Sequence, residues 1–151
     1  MMRLTSSAFS DREKIPIRFT CDGADISPPL AWSDTPIDAR SFAIVCVDPD
    51  APSGDWYHWA IYDIPGDMTH LPEHYPPDGH VPSQALNDFG KKGYGGPCPP
   101  HGHGTHHYHF KLFALNVEHL PLPAAPRCRD VGNMARGLAI ATADLIGIYS
   151  R

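Results

Sequence analysis

Residues 93–116, GYGGPCPPHGHGTHHYHFKLFALN, constrain the fold more than any other stretch of the chain. Gly93, Gly95, Gly96, Gly102 and Gly104 free the backbone, while Pro97, Pro99 and Pro100 remove amide donors and fix φ. The first half is therefore a shaped loop, neither helix nor strand. From His106 the pattern alternates. His106 and Tyr108 lead into Phe110, Leu112 and Ala114 on one face, and His107, His109 and Lys111 into Phe113 and Leu115 on the other. A loop dense in exposed N–H groups thus feeds a strand with a polar entry and an apolar far end. That is the pattern of a small polar site at the lip of a β-core.

Other stretches supply partners for this strand. Residues 40–48, RSFAIVCVD, are β-branched and aromatic and apolar on both faces, which predicts a central strand. A second strand is predicted over 57–64, with His58, Ala60, Tyr62 and Ile64 on one face. Antiparallel pairing of these two brings Asp48 and His58 to one end of the sheet, and His106 and Tyr108 begin a third strand that can reach the same end. Residues 14–20, KIPIRFT, alternate well enough for an early strand, and Pro16 assigns it to an edge. Residues 21–32 read as a loop, from the turn signal Asp22-Gly23 and from Pro28-Pro29. Residues 66–93 form a long excursion with a helical turn predicted near 72–75. Residues 121–126 read as a linker. Residues 127–138 predict a helix with Val131, Met134, Ala135 and Leu138 on its apolar stripe and Asp130 in its first turn. Residues 139–149 return to alternation and predict a closing strand. With 42% hydrophobic residues among 151, one domain over 1–151 is expected, and 17 Pro and 13 Gly favour a loop-rich β protein over a helical bundle.

Several functions are disfavoured. A net charge of −5 argues against binding nucleic acid or anionic membranes. No apolar run approaches the about 20 residues of a membrane span, and the first residues carry no apolar leader core, so a cytoplasmic protein is expected. HGHGTHHYH is rich in imidazole, yet it fits no standard zinc spacing, and His107 and His109 on one strand face find no third ligand; no metal or cofactor is expected. There is no GxSxG elbow and no dinucleotide or Walker loop, and Cys98 lies between Pro97 and Pro99 with no helix N-terminus to activate it, so no enzymatic activity is expected. Of the four cysteines, none is in a CxxC pair, and reduced thiols are the default in a chain without a leader. Cys21 and Cys98 sit in Gly- or Pro-rich loops, and a disulfide joins them if those loops meet at one pocket.

What the remaining constellation suits is a small anion. His58 and His106 can donate from ring N–H groups, Tyr108 from its hydroxyl and the Gly-rich loop from its backbone. Asp48 would orient one imidazole, and Trp56 and Trp59 could wall the site. The plainer reading is that Asp48 and His58 form a buried, mutually satisfied pair that holds a hairpin.

Asp48–Ser53 (DPDAPS), Trp56-Tyr57-His58-Trp59, Gly96–Pro100 (GPCPP) and His106-His107-Tyr108, in this order, resemble the phosphatidylethanolamine-binding protein family, and within it the bacterial and archaeal branch often labelled Raf-kinase-inhibitor-like. The resemblance extends over nearly the whole chain. It implies a large central antiparallel sheet with a smaller sheet packed on it and a few peripheral helices. It also implies a pocket for a phosphate-type anion or phospholipid headgroup, with Asp48, His58, His106 and Tyr108 in the pocket and Asp50, Trp56, Gly96, Pro99 and Pro100 in its wall. Homodimerisation, with the 66–93 excursion as candidate segment, enters on the same ground. An alternative is inhibition of a protease or kinase partner through a surface loop. Two positions depart from the family pattern: His107 stands where many relatives have Arg, and His101 where Lys is common. Both exchanges weaken anion binding at neutral pH and make it depend on pH.

Overall fold

The computed structural model describes residues 1–76 and 82–151. Its strands in chain order are β1 (Arg3–Thr5), β2 (Leu30–Ser33), β3 (Ser41–Asp48), β4 (Trp56–Pro65), β5 (His70–Leu71), β6 (Ser83–Gln84), β7 (His106–Leu115) and β8 (Ala139–Tyr149), with helix α1 (Cys128–Leu138) just before β8. They form a five-stranded antiparallel sheet in the order β6-β4-β3-β7-β8 and a three-stranded one in the order β1-β2-β5. The fold is thus mostly β, with two antiparallel sheets. Among the described residues α1 is the single α-helix, fewer helices than the resemblance implied, and no helix is long and apolar enough to cross a membrane.

The larger sheet is the middle of three layers. One of its faces packs Phe42, Ile44, Trp59, Ile61, Phe110 and Leu112 against Leu4, Leu30, Trp32 and Leu71 of the small sheet. The other packs Val45, Tyr57, Ala60, Phe113 and Leu115 against Cys128, Val131 and Ala135 of α1. This explains why 40–48 is apolar throughout: all eight residues of β3 are buried, with a layer on either side. Each large side chain fully removed from water contributes roughly 1.5–3 kcal/mol, and Phe42, Trp59 and Phe110 are among the fully buried ones. The Asp130 carboxylate accepts the Arg127 N–H at 2.9 Å and so caps the start of α1, where the helix dipole favours negative charge.

Four expectations need correction. Residues 14–20 are not a strand: Ile17–Phe19 is a 3-10 turn, with Ile15 and Phe19 buried and Ile17 half-exposed. Pro16 has no N–H for a ladder, and a turn accommodates its fixed φ. Residues 30–33, placed in a loop, form β2, and β1 had no forecast; both are too short for a pattern to show. The helical turn near 72–75 is absent: the chain bends at 73–74, with His74 at φ 57°, and the N–H groups of His74 and Tyr75 donate to Ser27 O and Oγ, which ties the segment to the 21–29 loop. The excursion instead lends β5 to the small sheet and β6 to the large one. Finally, β4 does not keep one face through His58, Ala60, Tyr62 and Ile64. Phe42 and Ile44 oppose Ile64 and Ile61, and Cys46 and Val47 oppose Trp59 and Tyr57, so β4 carries one extra residue at each of two bulges. Asp63, at φ 56°, belongs to the first, and His58 to the second.

Two loops are sewn together beside the open end of β3. Cys21 and Cys98, 77 residues apart in sequence, form a disulfide, and the Cys21 N–H donates to Pro97 O. The Gly96 N–H donates to Asp25 Oδ1 at 2.8 Å. A Cβ at Gly96 would stand 2.3 Å from Phe19 O and 2.6 Å from Asp25 Oδ1, so only glycine lets these segments lie this close. Gly96→Ala is expected to destabilise the protein by about 1–3 kcal/mol through overpacking. Gly137→Ala, in α1 with open space around its Cβ, should add up to about 1 kcal/mol of helix propensity; urea denaturation of both variants checks the opposite signs. The disulfide closes a long loop, and its removal by Cys21→Ser with Cys98→Ser should cost about 4 kcal/mol. Mass spectrometry of unreduced protein should find both cysteines oxidised, and free thiols at both would contradict the pairing.

Candidate functional site

Antiparallel pairing decides which side chains meet. β3 ends at Asp48, whose pairing partner is Trp56 at the start of β4, while β7 runs alongside with Val47 opposite His109. The end of one strand and the beginnings of two others therefore share one edge of the sheet. There a cavity of ≈ 250 Å³ is lined by Asp48, Trp56, His58, His106 and Tyr108, by residues 51–53, by Phe89 and by residues 98–100. A larger groove of ≈ 540 Å³, between residues 1–11 and β8, holds none of the candidate residues.

The second bulge of β4 brings His58 into the cavity. Its ring lies 5.2 Å from that of Tyr108, which faces the core between the sheets, and the next residue, Trp59, also belongs to that core. Consecutive side chains share a face only where the alternation is broken. His58 Nδ1–H donates to Gly95 O at 2.7 Å, and this sets the tautomer: in the neutral ring, Nε2 carries the lone pair. Burial lowers the pKa of His58 against the smaller opposing influences of Gly95 and Asp48, so the neutral ring prevails at pH 7.

Asp48 pairs with His106, not His58. His106 Nδ1–H donates to Asp48 Oδ2 at 2.6 Å, and the two side chains are only 2% and 4% exposed. Asp48 Oδ1 accepts the Asp50 N–H at 2.8 Å. His106 Nε2 is engaged as well, at 2.7 Å from His103 Nδ1. Both ring nitrogens of His106 are thus taken, and the expectation that it donates directly to an anion loses its free N–H.

The unengaged donors are elsewhere. Trp56 Nε1 and the Tyr108 hydroxyl are buried and have no hydrogen-bond partner among the described residues. Burial, reinforced by the Asp48 charge, raises the Tyr108 pKa and keeps the phenol protonated. Trp56, expected only as an apolar wall, therefore also brings an N–H.

Of the expected wall, Trp56, Pro99 and Pro100 line the cavity, while Asp50 and Gly96 do not. Asp50 points outward and accepts the backbone N–H and Nδ1–H of His107, both at 2.8 Å. Burial alone would raise its pKa, but these bonds and the imidazole charge outweigh it and lower it. Gly96 serves the loop contact described above. His103, Phe89 and residues 51–53 were missed. Phe89 is edge-on to both Trp56 and His58, at 5.4 and 5.3 Å, and a lone aromatic in a long irregular segment carries no pattern that would reveal this. Arg151 holds the outer wall: its Nε donates to Pro99 O at 2.8 Å and its Nη1 to Asp22 Oδ1 at 3.1 Å. Asp22 also accepts the Tyr149 hydroxyl at 2.6 Å, which leads the influences that lower its pKa.

A family model described as phosphatidylethanolamine-binding protein matches residues 5–150. A UPF0098 protein of Methanothermobacter thermautotrophicus is 47% identical over 153 residues, which take in 99% of each chain. The crystal structure of Escherichia coli YbcL, described as a new member of the mammalian PEBP family, matches with a TM-score of 0.91 and 36% identity, covering 99% of this chain and 98% of that one. A carboxypeptidase Y inhibitor, solved in complex with its cognate proteinase, matches with a TM-score of 0.52 and 16% identity over 99% of this chain and 83% of its own, a likeness of fold alone. The family model's span of residues 5–150 takes in every residue that lines the cavity, and the chain belongs to the phosphatidylethanolamine-binding protein family.

Proposed function

We propose that the cavity binds a small phosphate-type anion, free or as the headgroup of a phospholipid, and that the chain is a binding module without catalytic activity. The carrying observation is that Trp56 and Tyr108, which both line one ≈ 250 Å³ cavity, each bury a donor, Nε1 and OH, that has no hydrogen-bond partner among the described residues. A buried donor without a partner costs about 1–3 kcal/mol, and a tetrahedral oxyanion offers acceptors to both. Asp48 and the Nε2 lone pair of His58 are acceptors, so they suit an anion that still carries a P–OH proton, or the ammonium of an ethanolamine headgroup. The inhibitor reading has only the shared fold behind it, and an inhibitor acting through a surface loop would keep its potency when Tyr108 and Trp56 are replaced.

The Cys21–Cys98 bond bears on the compartment. Disulfides persist outside the reducing cytosol, so this bond favours an oxidising compartment over the cytoplasm expected from the sequence.

The pH dependence has a definite sign. At pH 8 phosphate is largely dianionic, and His58, its pKa lowered by burial, is neutral. A complex beside the Asp48 carboxylate needs an additional proton, either on the anion or on an imidazole. Affinity for inorganic phosphate should therefore be higher at pH 6 than at pH 8 in calorimetric titrations, and equal affinity at both would contradict the reading. Tyr108→Phe should weaken phosphate binding about tenfold or more, the worth of a hydrogen bond to a charged acceptor. The same variant should match or exceed the parent in ligand-free thermal stability, because it removes an unsatisfied buried hydroxyl. Running O-phosphoethanolamine beside inorganic phosphate separates the two ligand sources: a gain from the ammonium identifies the headgroup, and equal affinity identifies the phosphate group alone.

A further inference from the structure

His106 lies inside an unbroken hydrogen-bonded chain from the cavity to the surface. Its Nδ1–H donates to Asp48, its Nε2 is 2.7 Å from His103 Nδ1, and the ring of His103 is exposed to solvent. Because Nδ1 is committed as a donor, the state of the pair is decided at the Nε2···Nδ1 contact, which has room for one proton and needs one lone pair. With both rings neutral, His103 is the Nδ1–H tautomer and donates to His106. With one extra proton the contact is unchanged, and the charge rests on either ring. With both rings charged, two N–H bonds would point at each other across 2.7 Å, and the contact is lost. The His103 backbone is held in place by its N–H bond to Pro100 O at 3.1 Å and by Gly102 and Gly104, at φ 75° and 96°, on either side. Replacing either glycine would strain the turn that sets the ring against His106.

The surrounding charges leave this pair one carboxylate to answer. At the end of β3 stand Asp48 and Asp50, and Asp50 is taken by His107 from β7. From β4 comes His58, and from β7 comes Tyr108, stacked 6.4 Å from the His106 ring. From β8 comes Tyr149, opposite His106 in the ladder, with Arg151 beyond it, and both bond to Asp22. His101 lies on the same loop as His103.

We propose that His103 and His106 share a single exchangeable proton, and that occupation of the cavity by a tetrahedral anion loads it. This rests on the anion-binding reading above. A solvent proton arriving at His103 Nε2 lets the His103 Nδ1–H proton pass to His106 Nε2. The resulting positive charge lies between the bound anion and bulk water without movement of any heavy atom. His103 is a positioning residue here: it does not line the cavity and acts through His106.

Two measurements test this. In the ligand-free protein, ring nitrogen NMR shifts followed from pH 5 to 9 should show His103 and His106 titrating together, taking up about one proton in total; one full, independent proton at each ring would overturn the proposal. Sulfate carries no titratable proton near neutrality, so proton uptake on binding it belongs to the protein. Calorimetry of sulfate at pH 7, in two buffers of different ionisation enthalpy, should give net proton uptake in the parent. It should fall measurably in His103→Asn, whose amide keeps a hydrogen bond to His106 but leaves that ring to carry any extra charge alone, with several-fold weaker sulfate binding at pH 6. Unchanged uptake in His103→Asn would overturn the role of His103. If the parent binds neither sulfate nor phosphate, the loading step falls together with the anion reading, while the nitrogen shifts still decide whether the pair shares its proton.

Discussion

A carboxylate at the end of a wholly buried strand is the constraint on which this molecule turns. Asp48 ends β3, the central strand of the five, and is 3% exposed. An unpaired charge there would cost several kcal/mol. His106 Nδ1–H and the Asp50 N–H satisfy its two oxygens, at 2.6 and 2.8 Å. The first of these bonds reaches from β3 to the first residue of β7, so it ties the open end of the central ladder together. It also fixes the tautomer of His106 and turns its other nitrogen toward the Gly-rich loop. Each feature of the cavity follows from where that pair sits: the walls are the segments that leave and re-enter the sheet around it.

How much of this can be read from residues alone follows from the length of each pattern. β3, β4, β7, α1 and β8 are long enough for apolar periodicity to show, and all were legible to within two residues. β1, β2, β5 and β6 run to four residues or fewer and owe their pairing to packing between the sheets. Ile15, Ile17 and Phe19 imitate a strand, yet Pro16 closes a turn that buries the first and third and exposes the second. The convergence of Asp48, His58, His106 and Tyr108 on one cavity was legible because antiparallel pairing brings strand ends together. The partner of Asp48 was not, because the choice between two imidazoles depends on a bulge at His58, and a bulge leaves no periodic signature.

The cavity wall shows how a loop of glycine and proline becomes rigid. Its prolines cannot donate to a ladder, and its glycines give access to close or left-handed backbone. The segment is therefore held from outside, by the disulfide to Cys21, by Asp25 at Gly96 and by Arg151 at Pro99. This scaffold keeps two unsatisfied donors, Trp56 Nε1 and Tyr108 OH, beside a buried Asp48–His106 pair. A wall free to relax would let its own carbonyls reach those donors, and the proposed anion site rests on their being left open.

The most direct test is a crystal structure of the protein soaked in O-phosphoethanolamine near pH 6. The account predicts tetrahedral density within hydrogen-bonding distance of both Trp56 Nε1 and the Tyr108 hydroxyl, with the Asp48–His106 bond intact. Density elsewhere on the molecule, or a cavity occupied only by water while both donors turn to protein carbonyls, would contradict it.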